Sequence, residues 1–232
     1  MATTFNPHNQ YTLEDERVCL RPLTTTDDEF LLPFAYNEPD TWRYSHVSAR
    51  GRDGMAKYME TALAARVGGT EYPFIVFDKK TNEYAGSTRF YDIQPQHKTL
   101  QLGYTWYGEK FRGTGLNKHC KFLMLQFAFE KLGMERVEFR ADARNERSIV
   151  AMKSLGCKVD GILRSNMPLE DGSRRDSIIL SILKSEWENG CKDALKSKLT
   201  EPILSLRGGT TKQSRSMPLR LANYEIATLR SQ

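Results

Sequence analysis

The sequence predicts a mixed α/β domain: a mostly antiparallel sheet with one parallel pair in its centre and helices on both faces. A strand-helix-strand unit is the first observation behind this. Leu100, Leu102, Tyr104 and Trp106 alternate along one strand face, Leu116, Cys120, Leu123 and Phe127 recur at helical spacing, and Val137, Phe139 and Ala141 alternate again. A helix crossing over between two neighbouring strands leaves them parallel. The second observation is two hairpins, 72–77 with 84–93 and 159–167 with 174–183, which supply antiparallel strands. Third, 232 residues with 39% hydrophobic and 27% charged side chains are enough for one sizeable core.

In chain order, Arg17–Leu23 is the first strand, with Val18 and Leu20 on one face and Pro22 closing it. Thr26, Asp27, Asp28 and Glu29 offer caps and acidic first-turn residues for a helix through Phe30, Leu31 and Phe34. The polar loop 37–46 carries two aromatics, Trp42 and Tyr44. Asp53 caps a second helix, Gly54–Val67, which Gly68 and Gly69 end. Residues 78–83 turn the first hairpin, and 94–98 lead into the central strand. Beyond the long helix, Arg136–Asp142 is a half-buried strand. Asn145 caps a short helix with an apolar face of Ile149, Met152 and Leu155, stopped by Gly156. Asp171-Gly172 is the turn signal of the last hairpin, whose Ile178, Leu180 and Ile182 face the core. Cys191–Leu199 can extend as a helix, whereas Arg207–Ser216 is polar, rich in Gly, Ser and Thr, and without period. The expected organisation is an N-terminal arm over 1–10, one domain over 11–190, and a basic, flexible extension over 191–232.

The net charge of +5 belongs to that extension. It holds eight Lys and Arg against three Asp and Glu, while the first 190 residues balance at 26 against 26. Nucleic acid is therefore not an expected partner of the folded domain, only of the extension. No run approaches the roughly 20 apolar residues of a membrane span, and Met1–Gln10 lacks a signal peptide's apolar core. The four cysteines, Cys19, Cys120, Cys157 and Cys191, are scattered without metal-ligand spacing. They read as reduced thiols of a cytoplasmic protein, with no metal expected.

The chemistry concentrates in Arg112-Gly113-Thr114-Gly115-Leu116-Asn117, between the central strand and the long helix. Two residues without Cβ let free backbone N–H groups approach a phosphate at a helix N-terminus. An ordinary tight turn is the competing reading. Lys118 breaks G-x-G-x-x-G and no G-K-[ST] follows, so neither a dinucleotide fold nor a P-loop is supported.

The loop resembles R-x-x-G-x-[GA], the pyrophosphate loop of the GNAT superfamily of N-acetyltransferases, with Arg112 and Gly115 matching and Asn117 departing from it. The order of elements over 15–187 resembles the GNAT fold, and finer segments resemble its ribosomal-protein N-terminal acetyltransferase branch. These are Arg17-x-x-x-Arg21-Pro22-Leu23, Leu102-Gly103-Tyr104, Phe127–Gly133, Asn145-x-x-Ser148 through Leu155-Gly156-Cys157, Asp160-Gly161-x-Leu163-Arg164, and Asp171-Gly172-x-x-x-Asp176.

The resemblance implies a splayed parallel pair with acetyl-CoA in the gap. It implies that the backbone of Thr105, Trp106 and Tyr107 pairs with the pantetheine amides and that the amides from Arg112, Gly113, Thr114, Gly115, Leu116 and Asn117 hold the pyrophosphate. Asn145 would bond the pantetheine arm, and Ser148 would face the thiol as proton donor. Read by themselves, Asn145 is equally a plain N-cap and Ser148 a solvated serine. Trp42, Tyr44 and Tyr104 are the candidates for the acceptor wall, or else core anchors. A backbone N–H near Trp106 would stabilise the oxyanion. A glutamate that some relatives carry on the last hairpin is replaced here by Asn166-Met167-Pro168, so the base is open among Glu38, Asp40, Glu71 and a water chain. The expected function is transfer of the acetyl group of acetyl-CoA to a primary amine, first of all a protein N-terminus, by direct attack through a tetrahedral intermediate. The rivals are a small-molecule amine acetyltransferase and a non-catalytic module binding acyl-CoA or RNA. The oligomeric state stays open between monomer and homodimer.

Overall fold

A computed structural model describes residues 5–45, 47–169 and 172–200. Eight strands form one sheet: β1 (Leu13–Glu14), β2 (Val18–Pro22), β3 (Glu71–Asp78), β4 (Glu83–Gln94), β5 (Thr99–Tyr107), β6 (Arg136–Asp142), β7 (Lys158–Pro168) and β8 (Arg174–Leu183). They lie in the order β1-β2-β3-β4-β5-β6-β8-β7, antiparallel throughout except for β5 and β6. The mixed sheet read from the sequence is therefore the observed one. Its parallel pair is brief: only Thr99–Gln101 of β5 register with Arg136–Glu138 of β6. From Leu102 and Phe139 onward the two strands part, and the β6-facing edge of β5 has no strand partner.

One expectation about β5 fails. The period-two set does not share a face, because Leu100 and Leu102 join the core under the long helix while Trp106 joins the core on the opposite face. The cause is a β-bulge. Ser87 pairs with Trp106 but Arg89 pairs with Gly103, so β5 carries one extra residue there, and Tyr104 takes φ +48°. An extra residue reverses the alternation beyond it.

The helices are α1 (Asp28–Asn37), α2 (Gly51–Val67), α3 (Leu116–Gln126), α4 (Glu146–Ser154), the single turn α5 (Lys184–Glu186) and α6 (Lys192–Thr200). Helices α1 and α2 bury Leu31, Met55, Tyr58 and Ala62 against Ile75 and Trp106 on one sheet face. Helices α3, α4 and α6 cover the other, where Leu116, Met124, Met152 and Leu195 meet Phe90, Leu102 and Phe139. Helix α2 starts at Gly51, ahead of the expected Asp53 cap, with no side chain capping it. A Cβ on Gly54 would lie 2.9 Å from the Ala49 backbone, so this glycine admits the close chain entry that shifts the start.

The N-terminal arm is described from Phe5, whose ring packs on Tyr11 and Tyr72. The boundary expected at 190 falls at a break in the helical stretch 184–200, where Asn189 and Gly190 leave helical geometry. Beyond the break, α6 buries Leu195 in the main core, and the Lys198 ammonium donates to the Ser154 carbonyl at 2.7 Å. The expected flexible stretch 207–216 and the Asp171 position of the last turn lie outside the described residues.

Candidate functional site

The turn from β5 into α3 is built from glycine. Gly113 and Gly115 hold φ +73° and +87°, the left-handed region that a Cβ disfavours, and Gly115 caps α3. The Thr114 hydroxyl donates to the Phe111 carbonyl at 2.7 Å and fixes the bend. Among the described residues, the five consecutive amides from Gly113 to Asn117 donate no hydrogen bond; Lys118 is the first to do so, to Gly115. Five orphan donors at the positive end of a helix form an anion cradle.

The side chains of this loop turn elsewhere. Arg112 donates from Nε to the Tyr107 carbonyl at 2.8 Å and from its fork to Thr41 Oγ1 at 2.6 Å, with Glu38 3.6 Å away. Its guanidinium thus braces the loop against the α1–α2 connection, and its amide, expected among the free ones, donates to the Glu109 carbonyl at 3.1 Å, so the uncommitted donors begin at Gly113. Asn117, the departure from the small residue usual there, accepts from the buried Tyr107 hydroxyl at 3.2 Å. Burial pushes that phenol well above its ordinary pKa, so it remains a donor.

The parting of β5 and β6 opens a cavity of about 1230 Å³ running from this loop through the sheet. Asn145 and Ser148 form one wall at the start of α4. Asn145 Oδ1 accepts from the Ser148 amide at 3.1 Å, so the plain cap is present, while the Ser148 hydroxyl has no protein partner among the described residues. Thr105 stands on the α3 side, where its hydroxyl meets Thr88 at 2.8 Å and Lys121 Nζ at 2.5 Å.

Lys121 is buried on α3 with those two threonine hydroxyls and no carboxylate within ion-pair distance among the described residues. Desolvation lowers its pKa to about 7 from 10.5. Between those values the unfolded chain keeps a proton that the folded protein has released, so stability rises with pH. Relative to Lys121→Met, the wild type should gain roughly 2 kcal/mol between pH 7 and pH 9 by urea denaturation. An equal pH response in both proteins would show an ordinary amine.

On the α1–α2 face, Trp42 is both a core residue, 5.3 Å from Trp106, and a wall of the cavity; Tyr44 lines it beside Arg43. The bulge turns Tyr104 toward this face, where its ring lies between Tyr91 and the Arg89 guanidinium. Trp106 donates from Nε1 to the Tyr58 hydroxyl at 3.3 Å. The carboxylates considered as bases are differently employed. Glu38 accepts from the Glu109 amide at 2.7 Å, and Glu71 pairs with Arg89 at 2.6 Å. Asp40 reaches the cavity but is exposed. Asp142, a further cavity residue, is held in both oxygens by Arg144, whose hydrogen bonds keep it below the usual carboxylate range.

Four groups escaped the reading of the sequence. Lys121 shares a helix row with Leu125 and Ala128, buried apolar residues off the first stripe that mark α3 as covered on more than one side. Gln101, Arg175 and Ser177 occupy the polar phase of strands whose apolar phase defines the core. Only the opening of the sheet makes their side a cavity wall. Five buried side-chain atoms lack a partner among the described residues, and four of them, on Trp42, Gln101, Arg175 and Ser177, belong to residues lining this cavity. Such a cluster marks a ligand site more than a packing defect.

Residues 17–158 match the model of the acetyltransferase (GNAT) domain family. An uncharacterized N-acetyltransferase p20 of Bacillus licheniformis is 24% identical over 181 residues, covering 76% of this chain and 98% of the relative. A solved structure of an acetyltransferase from T. thermophilus is 33% identical and superposes with a TM-score of 0.70 over 81% of this chain and 96% of its own. A ribosomal-protein-S5-alanine acetyltransferase from Vibrio fischeri shares the fold at 18% identity, with a TM-score of 0.63 over 76% of this chain and 98% of its own. Among the described residues no helix is long and apolar enough to cross a membrane.

Proposed function

The chain belongs to the GNAT acetyltransferase family, and from that premise we propose that it acetylates a primary amine, first of all a protein N-terminus, with acetyl-CoA as donor. The observation that carries this reading is the run of five unpartnered amides, Gly113 to Asn117, beside an unpaired strand edge. The amides suit a diphosphate, and the edge of β5 suits the amide-bearing arm behind it. Bound there, acetyl-CoA supplies an activated acyl group as a thioester.

The residues divide the remaining work. A backbone N–H on the open edge between Leu102 and Tyr107 donates to the oxygen that gains charge as the amine nitrogen attacks the carbonyl carbon. Asn145 bonds the extended arm through its side-chain amide. Ser148, whose hydroxyl is otherwise uncommitted, donates a proton to the leaving sulfur as the carbon–sulfur bond breaks and regains one from water, to which the attacking nitrogen releases its proton. No carboxylate considered is well suited as base: Glu38 and Glu71 are employed structurally outside the cavity lining, and of those that line it Asp40 is exposed, Asp92 accepts from Gln101 and Asp142 is held ionised by Arg144. An N-terminal α-amine needs little help, since its ordinary pKa is about 7.7–8.0. The Vibrio fischeri relative, by its name an alanine acetyltransferase of a ribosomal protein, supports a protein acceptor.

Calorimetric titration with acetyl-CoA should give a Kd on the order of 1–100 μM. Peptides with a free N-terminus should then gain one acetyl group, and the same peptides with blocked N-termini none. Absence of acetyl-CoA binding would overturn the reading.

A further inference from the structure

Arg175 begins the cavity-facing row of β8, with Ser177 one side-chain step along and directly opposite Asp142 of β6. It is 6% exposed and lines the cavity, yet its guanidinium donates no hydrogen bond and has no carboxylate within ion-pair distance among the described residues. Its Nε and the Ser177 hydroxyl are both sealed from solvent without a partner among the described residues. Of its neighbours, Arg140 in the cavity lining is paired with Glu138 at 2.7 Å, and outside the lining Arg89 is paired with Glu71 at 2.6 Å and Arg144 with Asp142 at 2.7 Å, while Arg147 lines the cavity from an exposed position on α4. One positive charge is left uncompensated in a desolvated place, which is costly unless a ligand answers it. Burial pulls Arg175 down from its ordinary pKa, with Arg140 adding to this while Asp142, Tyr91 and Tyr104 act against it. A guanidinium nonetheless stays charged.

We propose that Arg175 and Ser177 form an anion subsite of the acceptor pocket, so that the amine acetylated by this protein carries a carboxylate. The proposal rests on the acetyltransfer reading above. The diphosphate cradle at the start of α3 lies on the other face of the sheet, since Leu100 and Leu102 pack toward α3 while Gln101 points to the Arg175 side. The donor is thus not the anion that Arg175 meets. A guanidinium fork with one adjacent hydroxyl fits the two oxygens of a carboxylate, and a single free charge matches a monoanion. Gln101 Oε1, the unpartnered acceptor on the same wall, is available to an N–H of the same molecule. Two sources share this chemistry: the side chain of an acidic N-terminal residue, and the α-carboxylate of a free amino acid.

The test compares kcat/KM for two matched pairs on the full chain. One pair is a C-terminally amidated peptide beginning with Glu and its Gln counterpart; the other is alanine and alaninamide. The acid member should be favoured by roughly 10- to 100-fold in one pair, mostly through KM. The pair that responds identifies the source. In Arg175→Gln that ratio should fall to about one, and the wild-type ratios carry the test even if this variant folds poorly. Ratios near one in the wild type, or an unchanged ratio in a folded Arg175→Gln, would overturn the subsite. Acetyl-CoA binding with turnover of neutral amines only would also overturn it while leaving the acetyltransfer reading intact. Failure to bind acetyl-CoA at all would remove both.

Discussion

Gly115→Val is expected to lower acetyl-CoA affinity by roughly 100-fold or more while leaving the protein folded. Gly115 sits at φ +87° as the cap of α3, in the middle of the five orphan amides. A β-branched residue in the left-handed region costs about 1–2 kcal/mol, and the chain relieves that strain by turning the peptide. Turning it swings the flanking amides out of the cradle. Hydrogen bonds to a charged group are each worth about 1.5–3 kcal/mol, so losing two is enough for the stated effect. The loop lies at the surface end of the cleft, so the packed core beneath Leu116 should survive. Calorimetry with acetyl-CoA and thermal unfolding of the same preparation separate the two effects. Wild-type affinity in a folded variant would mean that the donor does not rest on this loop.

Gly86→Ala should act on the fold, with a loss of about 2–6 kcal/mol of stability. The added Cβ would lie 2.1 Å from the Trp106 carbonyl oxygen and 2.9 Å from the Tyr107 Cα, both backbone atoms, and φ there is +151°. Neither neighbour can rotate away, because this is where β4 holds the far edge of β5 in register, Gly86 against Tyr107 and Ser87 against Trp106. The strand that must stand free on its β6 side is anchored by close approach on its β4 side. Gly161→Ala is the matched control, since nothing lies within 4 Å of its Cβ position and its φ is ordinary. Urea midpoints of the two variants should differ widely. Equal midpoints would mean that β4 and β5 do not approach this closely in solution.

Both predictions start from glycines, but they were not equally legible. Gly115 stands out in the sequence because a turn pattern and an apolar helical period bracket it. Gly86 lies inside a run that reads as ordinary strand, and only its partner across the sheet reveals why it lacks a side chain. The same division runs through the site. Asn145 and Ser148 were readable from a cap signal and a motif. Lys121 was hidden because a lysine on a helix is usually solvated, and the seating of α3 over Thr88 and Thr105 of the sheet decides otherwise.

Local pattern by itself determined the strands from β2 to β8, the helices other than the single turn α5 though not the start of α2, the crossover that makes β5 and β6 parallel, and the loop of free amides. Each of these depends on residues near one another in the chain: a period of two or 3.6, a cap, a glycine able to take positive φ. Tertiary structure alone decided where β5 and β6 part, that the bulge at Tyr104 sends Trp106 to the opposite core, that the Arg112 side chain braces its loop, and that Arg175 is buried without a partner among the described residues. Those features arise where segments distant in sequence meet, and burial there depends on the whole sheet. A polar residue in the outward phase of a strand looks the same in sequence whether water or a cavity lies outside it.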